Sequence, residues 1–415
     1  MKKKVLITGG SGLLAVNWAL SIRDEYEVTL LLHQRKIYLK GVKTDIANIS
    51  SLDECKAVLD RHKPDVVIHT AGLTSVEKCE ENPNLAQEVN VDLAKNIAIA
   101  CDKQNVKLVH ISTDHLFSGE GSFVTEESNT TPINNYAKTK LEGERQVQKN
   151  CKDALIIRTN FFCWGTKYRQ SFSDFIISKL RNNESIDLFS DVFFTTILAE
   201  ELAQKVHQLI DAKASGVFNV VGSECMSKYE FGVKLANCFG LDANLINEIS
   251  INDKPNLVKR PKDMSLSNKK ICKTLNCKMP SIDEQLQTLK QQESDSGINH
   301  IRTDIIPYGR HYIDEDDIRS VVDVLRNGML TQGPKIAEFE NRIADYVGAK
   351  YAVAVANGTA ALHLSCMALE LGEGDKVITS PNTFVATSNS VLYVGAKPVF
   401  VDIDKRTLNI DIDQI

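Results

Sequence analysis

A tyrosine and a lysine that could transfer a proton stand four residues apart in this sequence, at Tyr136 and Lys140. On a helix these two positions share one face, so the phenol and the ammonium would be neighbours. Hydride transfer to a carbonyl requires a proton donor at the carbonyl oxygen, and a tyrosine can donate if a nearby cation lowers its pKa. Thr113 lies 23 residues before Tyr136, after an apolar run typical of a strand, and its hydroxyl could orient the substrate oxygen. The pair alone also occurs on ordinary surface helices, so this interpretation depends on the segments around it.

A glycine-rich segment near the amino terminus, residues 8–15, could hold a dinucleotide. It follows the first predicted strand and opens the first predicted helix. There the backbone of Gly9, Gly12, Leu13 and Leu14 could approach a pyrophosphate held at the helix N-terminus. The alternative is a plain strand-to-helix turn, but the position so close to the start of a βαβ unit favours dinucleotide binding.

The second predicted strand bears on the choice between NAD and NADP. An acidic residue at the end of this strand would bind the adenosine ribose of NAD. The strand instead runs into residues 32–36, which contain no carboxylate and two cations, Arg35 and Lys36. Arg35 could pair with the 2′-phosphate of NADP in bidentate fashion. The sequence therefore favours NADP over NAD, the alternative being that both cations belong to a solvated loop.

An α/β architecture would bring these residues together. Short apolar strands alternate with amphipathic helices along the first part of the chain, which predicts a doubly wound parallel sheet of the Rossmann type, covered by helices on both faces. The alternation becomes less regular over residues 161–289, as expected for a small substrate-facing lobe. The predicted strands are 5–8, 28–32, 66–69, 108–112 and 154–158, and the predicted helices include 52–61 and 86–104.

Composition excludes several classes of function. The 415 residues carry 49 Lys and Arg against 54 Asp and Glu, a net charge of −5, whereas a general nucleic-acid binder needs a basic surface. No segment approaches the roughly 18 apolar residues that cross a bilayer, and the basic start leads into glycines rather than a signal sequence. The ten cysteines lack zinc spacing. We therefore expect a cytoplasmic protein with reduced thiols, no metal site and no membrane partner.

A second α/β unit follows a polar segment. Three regions are predicted: a nucleotide-binding domain over 1–288, a linker over 289–304 and a further unit over 305–415. In the last unit, apolar residues at helical spacing predict a helix that Gly348 ends, and strands are predicted at 351–356, 376–379 and 398–402. Gly358 and Thr359 open a helix after the first of these strands, which is a geometry that can bind an anion. The aromatic ring of Phe384 follows the second strand.

Residues 1 to about 288 resemble the extended short-chain dehydrogenase/reductases and, among them, the dTDP-4-dehydrorhamnose reductase branch. The segments that carry the likeness are 70–80, 112–119, 134–144 and 260–261. The resemblance implies NAD(P)-dependent reduction of a keto group on a nucleotide-linked deoxysugar, with Thr113, Tyr136 and Lys140 as the catalytic triad. It also implies that Asp45 and Ile46 flank the adenine and that residues 70–72 lie along the cofactor, namely Thr70, Ala71 and Gly72.

Residues 114 and 115 separate the possible reactions. Related dehydratases carry an acidic pair after the triad threonine for water elimination, but here Asp114 is followed by His115. Reduction is therefore the favoured reaction, with an epimerase or dehydratase, or a non-catalytic nucleotide-binding or regulatory subunit, as alternatives. His115 also departs from the aromatic residue usual in the rhamnose reductases, so the sugar itself stays open; the residue could contact substrate or pack under the loop.

Residues 305–415 resemble the amino-terminal part of the DegT-type sugar aminotransferases, including those of UDP-amino-sugar, pseudaminic-acid-type synthesis. Segments 307–310, 330–334, 348–351, 357–362 and 380–384 carry the likeness. It implies that Gly358 and Thr359 hold the phosphate of pyridoxal phosphate and that Phe384 stacks on its ring. The family's Schiff-base lysine belongs to a later segment, so the aminotransferase part is expected to be incomplete and inactive as given. We expect the sequence to be truncated at Ile415, and a homodimer is possible by the same resemblance.

Overall fold

The computed structural model describes residues 2–295 and 311–415, and the chain divides into two units, Met1–Pro307 and Tyr308–Ile415. The predicted start of the second unit at residue 305 and the 307–310 segment lie outside the described residues.

A seven-stranded parallel sheet forms the centre of the first unit, with the strand order β11-β6-β5-β4-β1-β2-β3. Strand β1 lies between β2 and β4 in register, with Val5 opposite both Val28 and Val66. The parallel sheet is confirmed, and each of the five predicted strands is present within one residue of its expected bounds. The strands are β1 Lys4–Thr8, β2 Glu27–Leu32, β3 Lys43–Ile46, β4 Val66–His69, β5 Lys107–Ile111, β6 Leu155–Arg158 and β11 Gly216–Asn219.

Helices cover both faces of this sheet, because alternate strand residues point to opposite sides. Val5 and Ile7 of β1 are buried among residues of α1 and α8, whereas Leu6 is buried among residues of α2, α5 and α6. The helix predicted at 86–104 is interrupted at its start by one π-helical turn, Glu88–Asp92. The helices are α1 Leu13–Ile22, α2 Leu52–His62, α3 Val76–Glu81, α4 Pro83–Gln87, α5 Leu93–Gln104, α6 Asn135–Asn150, α8 Ala199–Asp211 and α10 Lys269–Leu275.

A smaller lobe with its own core completes the first unit, built around Phe194 and Phe231. Its last helix continues to Asp295, so residues 289–295 are helical and the linker assigned to 289–304 does not begin at 289. Leu289 is fully buried in the lobe's core, which holds this part of the helix in place. The elements are β7 Phe161–Phe162, α7 Phe172–Arg181, β8 Ile186–Phe189, β9 Phe193–Thr195, β10 Ile197–Leu198, β12 Cys225–Ser227, α9 Lys228–Phe239, β13 Ile246–Ile249, β14 Asp263–Met264 and α11 Ile282–Asp295.

The second unit contains a parallel pair of strands and four helices within residues 311–415. The helix predicted from apolar spacing is present and ends at Gly348, whose φ of 70° suits glycine. The strand predicted at 351–356 is not formed; there the Ala354 amide bonds to the Glu340 side chain instead of to a neighbouring strand. The elements are α12 Glu315–Asn327, α13 Pro334–Val347, α14 Gly358–Ala368, β15 Lys376–Thr379, α15 Ala386–Tyr393 and β16 Lys397–Phe400.

Candidate active site

The glycine turn after β1 is shaped for close backbone approach. Gly9 has a φ of 66°, and a Cβ there would lie 2.9 Å from backbone atoms of Ala71. Gly12 is the N-cap of α1 and supplies no side chain to its first amides, which therefore face the space in front of the helix. The Gly10 amide donates to the Leu31 carbonyl, 2.9 Å away, and this bond fixes the turn against β2. A phosphate fits such a turn, since it would accept the free amides at the positive end of the helix.

A cavity of about 870 Å³ opens in front of this turn, at the carboxyl ends of the parallel strands. Its size is at the upper end of the roughly 300–1,000 Å³ typical of ligand sites and is sufficient for a dinucleotide with part of a second ligand. Residues from the glycine turn, from the segments after β2, β4 and β5, and from α6 share its wall. Of the predicted reductase-site residues, it is lined by Gly9, Gly12, Leu13, Leu14, Arg35, Thr70, Ala71, Gly72, Thr113, Tyr136 and Lys140.

Helix α6 carries the tyrosine and the lysine on the face turned toward β5. Its start is fixed by Asn134, whose side chain accepts the Ala137 amide at 2.8 Å and donates to the Lys259 carbonyl at 3.0 Å. Tyr136 and Lys140 are both buried, with 8% and 6% of their surfaces exposed. The i, i+4 spacing thus does what the sequence predicts and presents both side chains to one wall of the cavity.

Burial sets the protonation of this pair. It raises the pKa of Tyr136 well above its usual range, although a hydrogen bond with the Thr113 side chain lowers it in part. Burial lowers the pKa of Lys140 to about 8, and the Lys140 Nζ donates to the Ile111 carbonyl at 2.7 Å. The sequence predicts that the lysine lowers the pKa of the tyrosine; in this arrangement desolvation dominates, and the phenol is held in its neutral, proton-carrying form.

Asp114, the single acid after Thr113, is buried and already engaged. Its Oδ2 accepts a hydrogen bond of 2.6 Å from Asn160 Nδ2, and its Oδ1 accepts one of 3.2 Å from the Thr113 hydroxyl. His115 packs edge-on against the Tyr136 ring, with 5.5 Å between the ring centroids. Burial lowers the pKa of His115, although Asp114 raises it in part, so the imidazole is neutral near pH 7. Asp114 therefore orients the Thr113 hydroxyl, and His115 packs against one side of the Tyr136 ring.

Arg35 lies at the far end of the cavity from α6, beyond the end of β2. Its guanidinium carbon is 4.4 Å from the centroid of the Tyr168 ring, and in the described part of the chain it pairs with no carboxylate. The Tyr168 hydroxyl donates to the Ser11 carbonyl, 3.0 Å away, in the glycine turn. The described geometry fits NADP, because a free guanidinium and a phosphate-binding turn face the same space.

Asp45 and Ile46, expected to flank the adenine, do not line the cavity. The Asp45 carboxylate accepts hydrogen bonds from Arg61 at 2.7 Å and from His62 at 2.8 Å, both on α2. Partial burial raises the pKa of Asp45, but the hydrogen bonds from His62 and Arg61 outweigh it, so the pKa is lowered overall. The cavity is instead lined by the next four residues of the chain, 47–50. The residues after β3 that can contact a ligand therefore lie one to five positions further along the chain than expected.

These features can be compared with known proteins. The family described as RmlD substrate binding domain matches residues 3–294. The chain belongs to the RmlD substrate binding domain family. The probable low-salt glycan biosynthesis reductase Agl14 of Haloferax volcanii is 29% identical to this RmlD chain over 294 residues, covering 70% of it and 98% of Agl14. The dTDP-4-dehydrorhamnose reductase (rfbD) of Bacillus anthracis, solved in complex with NADP, superposes with a TM-score of 0.63 at 25% identity, covering 70% of this chain and all of that one.

The second unit of this RmlD family member is similar to a different family. Residues 311–415 match the DegT/DnrJ/EryC1/StrS aminotransferase family. The spore coat polysaccharide biosynthesis protein SpsC of Bacillus subtilis is 49% identical over 110 residues, which is 26% of this chain and 28% of SpsC. The predicted fusion of a reductase-type domain with an aminotransferase-type segment is thereby confirmed, and the chain spans about a quarter of this second relative.

The residues expected to hold pyridoxal phosphate do not form an enclosed site in the described part of the second unit. Gly358 begins α14, but the preceding Asn357 side chain already accepts the Ala360 amide at 2.9 Å. A Cβ on Gly358 would meet nothing within 4 Å, and the Phe384 side chain is 75% exposed. These residues do not by themselves fit the cofactor.

Sequence reasoning missed the residues that reach the cavity from the smaller lobe. Tyr168, Arg169 and Asn160 line it, yet they stand in segments without a motif, and Tyr168 meets a glycine turn more than 150 residues away. An aromatic and a basic residue in a polar loop are a weak signal that only the fold makes meaningful. Among residues 2–295 and 311–415, we find no cluster of three His, Cys, Asp or Glu side chains that could hold a metal and no helix long and apolar enough to span a membrane.

Proposed function

We propose that the first unit uses NADPH to reduce a keto group on a nucleotide-linked deoxysugar. The observation that carries this proposal is the grouping of Thr113, Tyr136 and Lys140, all buried, on the wall of the cavity that also faces the N-terminus of α1. The family and the similarity to a dTDP-4-dehydrorhamnose reductase in complex with NADP support the same reaction.

The buried side chains would act on the carbonyl oxygen of the substrate. When substrate is bound, the Thr113 hydroxyl turns its single proton from Asp114 to this oxygen and fixes its position, while the neutral Tyr136 phenol transfers its proton to the oxygen as the carbonyl carbon is reduced. The reduced nicotinamide supplies the hydride when it is bound. Lys140, charged below about pH 8, stabilises the phenolate left on Tyr136 and can hold a ribose hydroxyl.

The charge of the cavity supports a substrate that carries phosphate. Besides Arg35, which faces the coenzyme, Arg169 and Arg260 line it, and the buried Nε of Arg260 has no hydrogen-bond partner within the described chain. Arg260 is held by an ion pair with Glu77, which leaves the guanidinium at the wall of the cavity. A diphosphate linking a nucleotide to a sugar would satisfy the donors of Arg169 and Arg260, since guanidinium groups bind phosphate in bidentate fashion.

Reduction is favoured over water elimination by the state of Asp114. Elimination requires an acid that protonates a leaving hydroxyl, but Asp114 accepts a hydrogen bond of 2.6 Å from Asn160 and is followed by His115 instead of a second acid. A purely regulatory nucleotide-binding subunit, the other alternative, would have no use for a buried tyrosine beside a buried lysine. We therefore rank both below the reductase.

The second unit would contribute to the same branch of metabolism. Family membership of its relatives implies pyridoxal phosphate and amino transfer to a nucleotide sugar, and SpsC is a polysaccharide biosynthesis protein. We propose that residues 311–415 are inactive as a transaminase in the chain as given and that the protein serves nucleotide-sugar synthesis for glycans. A homodimer and a cytoplasmic location complete the proposal; the ten cysteines, none in a disulfide, support the latter.

Incubation of the full chain with NADPH and a 4-keto-6-deoxy sugar linked to dTDP or UDP tests the reaction. We expect NADPH oxidation that depends on the keto sugar, with a product heavier by two hydrogens. Release of water from a 4-hydroxy nucleotide sugar, without net NADPH oxidation, would point to a dehydratase. Binding of both ligands with no turnover would point to the non-catalytic subunit.

A further inference from the structure

We infer that Tyr168 is a positioning residue that presents Arg35 to the 2′-phosphate of NADP and thereby sets the coenzyme preference of the proposed reductase. Tyr168 belongs to the loop between β7 and α7, on the side of the smaller lobe, whereas Arg35 follows β2 of the central sheet. The inference rests on the proposed function, but it concerns how the coenzyme is selected and not which substrate is reduced.

The contact between the two side chains leaves hydrogen-bond donors of the arginine available. The Arg35 guanidinium carbon lies over the Tyr168 ring, 4.4 Å from its centroid, within the range of a cation–π contact. A guanidinium carries five N–H donors in a planar fork that matches a phosphate. Arg35 makes no ion pair with any described carboxylate, and its donors are therefore open to a ligand.

The tyrosine ring is itself fixed to the phosphate-binding turn. Its hydroxyl donates to the Ser11 carbonyl at 3.0 Å, between Gly9 and the start of α1. The loop is closed by backbone hydrogen bonds in both directions between Thr166 and Arg169, of 2.8 and 3.1 Å. Arg169 reaches across to the Thr74 hydroxyl at 3.1 Å, after β4. The ring is thus anchored after β1 and its loop after β4, so the contact with the ring places Arg35 relative to the turn that would bind the pyrophosphate.

This arrangement accounts for how an exposed arginine could discriminate between coenzymes. A free arginine side chain loses much rotamer freedom when it binds, which reduces the net gain from each hydrogen bond. The Tyr168 ring restricts Arg35 before the ligand arrives, so the gain from a 2′-phosphate is kept. A coenzyme that lacks this phosphate makes no contact with Arg35, so its affinity should not depend on the Tyr168 ring.

Two small ligands isolate this interaction without any turnover. Adenosine 2′,5′-bisphosphate carries the 2′-phosphate, and adenosine 5′-monophosphate does not. Calorimetric titration of the full chain with each gives a preference ratio, which we expect to favour the bisphosphate. Tyr168→Ala should lower that ratio about fivefold by weakening only the bisphosphate, as expected for loss of a partly exposed cation–aromatic contact. Arg35→Ala should lower it by about tenfold or more, since the charged hydrogen bonds themselves are lost.

Two further variants separate positioning from folding. Tyr168→Phe keeps the ring but removes the bond to Ser11, so its ratio should lie between those of the wild type and Tyr168→Ala, whereas Tyr38→Ala removes an exposed tyrosine three residues from Arg35 and should leave the ratio unchanged. Equal weakening of both ligands by Tyr168→Ala, or no change in either, would overturn the inference. If Arg35→Ala lowers the ratio and Tyr168→Ala does not, the role of Tyr168 is rejected while NADPH-dependent reduction stands. If the wild-type chain shows no turnover of the keto sugar, the reductase itself is rejected.

Discussion

The Nζ of Lys140 lies 2.7 Å from the carbonyl oxygen of Ile111. Ile111 is the last residue of β5, and Thr113 follows it, so this bond joins the helix that carries Tyr136 to the strand end that carries the threonine. This contact between α6 and the central sheet, together with the hydrogen bond between the Thr113 and Tyr136 side chains, holds the three groups of the proposed triad near one another. The amine that makes the contact is buried, and its charge is consequently sensitive to pH.

The rate of reduction should fall as the pH rises above about 8. Burial lowers the pKa of Lys140 from 10.5 to about 8, so the ammonium that stabilises the Tyr136 phenolate is lost across that pH. A pH profile of kcat checks this, with Lys140→Arg expected to remove the alkaline decline because arginine stays charged. Lys149→Met, which changes an exposed lysine on the same helix, is the matched control. An alkaline limb that survives in Lys140→Arg would show that another group titrates.

Removing one partner of the buried Arg158–Glu144 pair should destabilise the first unit by about 3–5 kcal/mol, since an uncompensated charge is left in the core. Arg158 on β6 makes a forked contact with Glu144 on α6, at 3.0 and 2.8 Å, and the two residues are only 5% and 2% exposed. Chemical denaturation of Glu144→Gln measures the loss.

The same variant connects stability with catalysis. The negative charge of Glu144 raises the pKa of Lys140, opposing burial. In Glu144→Gln the alkaline limb of the pH profile should therefore move to lower pH. Glu142→Gln changes a half-buried residue on the same helix. It should shift neither the unfolding midpoint nor the alkaline limb of the pH profile appreciably. A Glu144→Gln protein as stable as the wild type would contradict the role assigned to the pair.

Gly9→Ala should weaken NADPH binding, whereas Gly240→Ala should not. The two glycines have nearly equal φ values of 66° and 67°, so both variants pay a similar conformational cost of about 1–2 kcal/mol. Only at Gly9 would the new Cβ meet backbone atoms, 2.9 Å away at Ala71, while at Gly240 nothing lies within 4 Å. Titration with NADPH and thermal unfolding measure the two effects separately. Equal NADPH affinity in both variants would show that the turn does not approach the coenzyme.

Pyridoxal phosphate should not form a specific Schiff base with this chain. Lys376 and Lys397 begin β15 and β16 and pair with each other, whereas Phe384 follows the carboxyl end of β15. A four-residue strand spans about 10 Å or more, which separates these lysines from the expected ring site. Visible absorbance after titration should be unsaturable and equal in Phe384→Ala. A saturable band that Phe384→Ala abolishes would contradict the prediction.

The sequence was most informative where the signal is local. Apolar runs such as that of β4 and the glycines after β1 predict the sheet and its phosphate-binding turn, because both depend on residues close in sequence. Spacing alone placed Tyr136 and Lys140 on one face. The structure differs where distant partners decide. Asp45 accepts hydrogen bonds from His62 and Arg61 and does not line the cavity, and residues assigned to a linker continue a helix that packs in the core of the smaller lobe.

The contribution of the smaller lobe to the cavity could not be predicted, for the same reason. Nothing near Tyr168 in sequence indicates that its hydroxyl meets Ser11 or that its ring meets Arg35. Likewise, residues 351–356 have the composition of a strand, but in the described second unit the Ala354 amide finds a side-chain acceptor on α13. Strand formation requires a paired neighbour, which composition cannot supply.

The central claim, that Tyr136 is the proton donor of a keto-sugar reductase, is tested most directly by Tyr136→Phe. The substitution removes one buried hydroxyl and keeps the ring that packs against His115. With NADPH and a 4-keto nucleotide sugar, kcat should fall by about 10²–10⁴-fold while NADPH affinity is unchanged, and Tyr26→Phe, far along the chain at the start of β2, should turn over normally. Undiminished turnover by Tyr136→Phe would contradict the account.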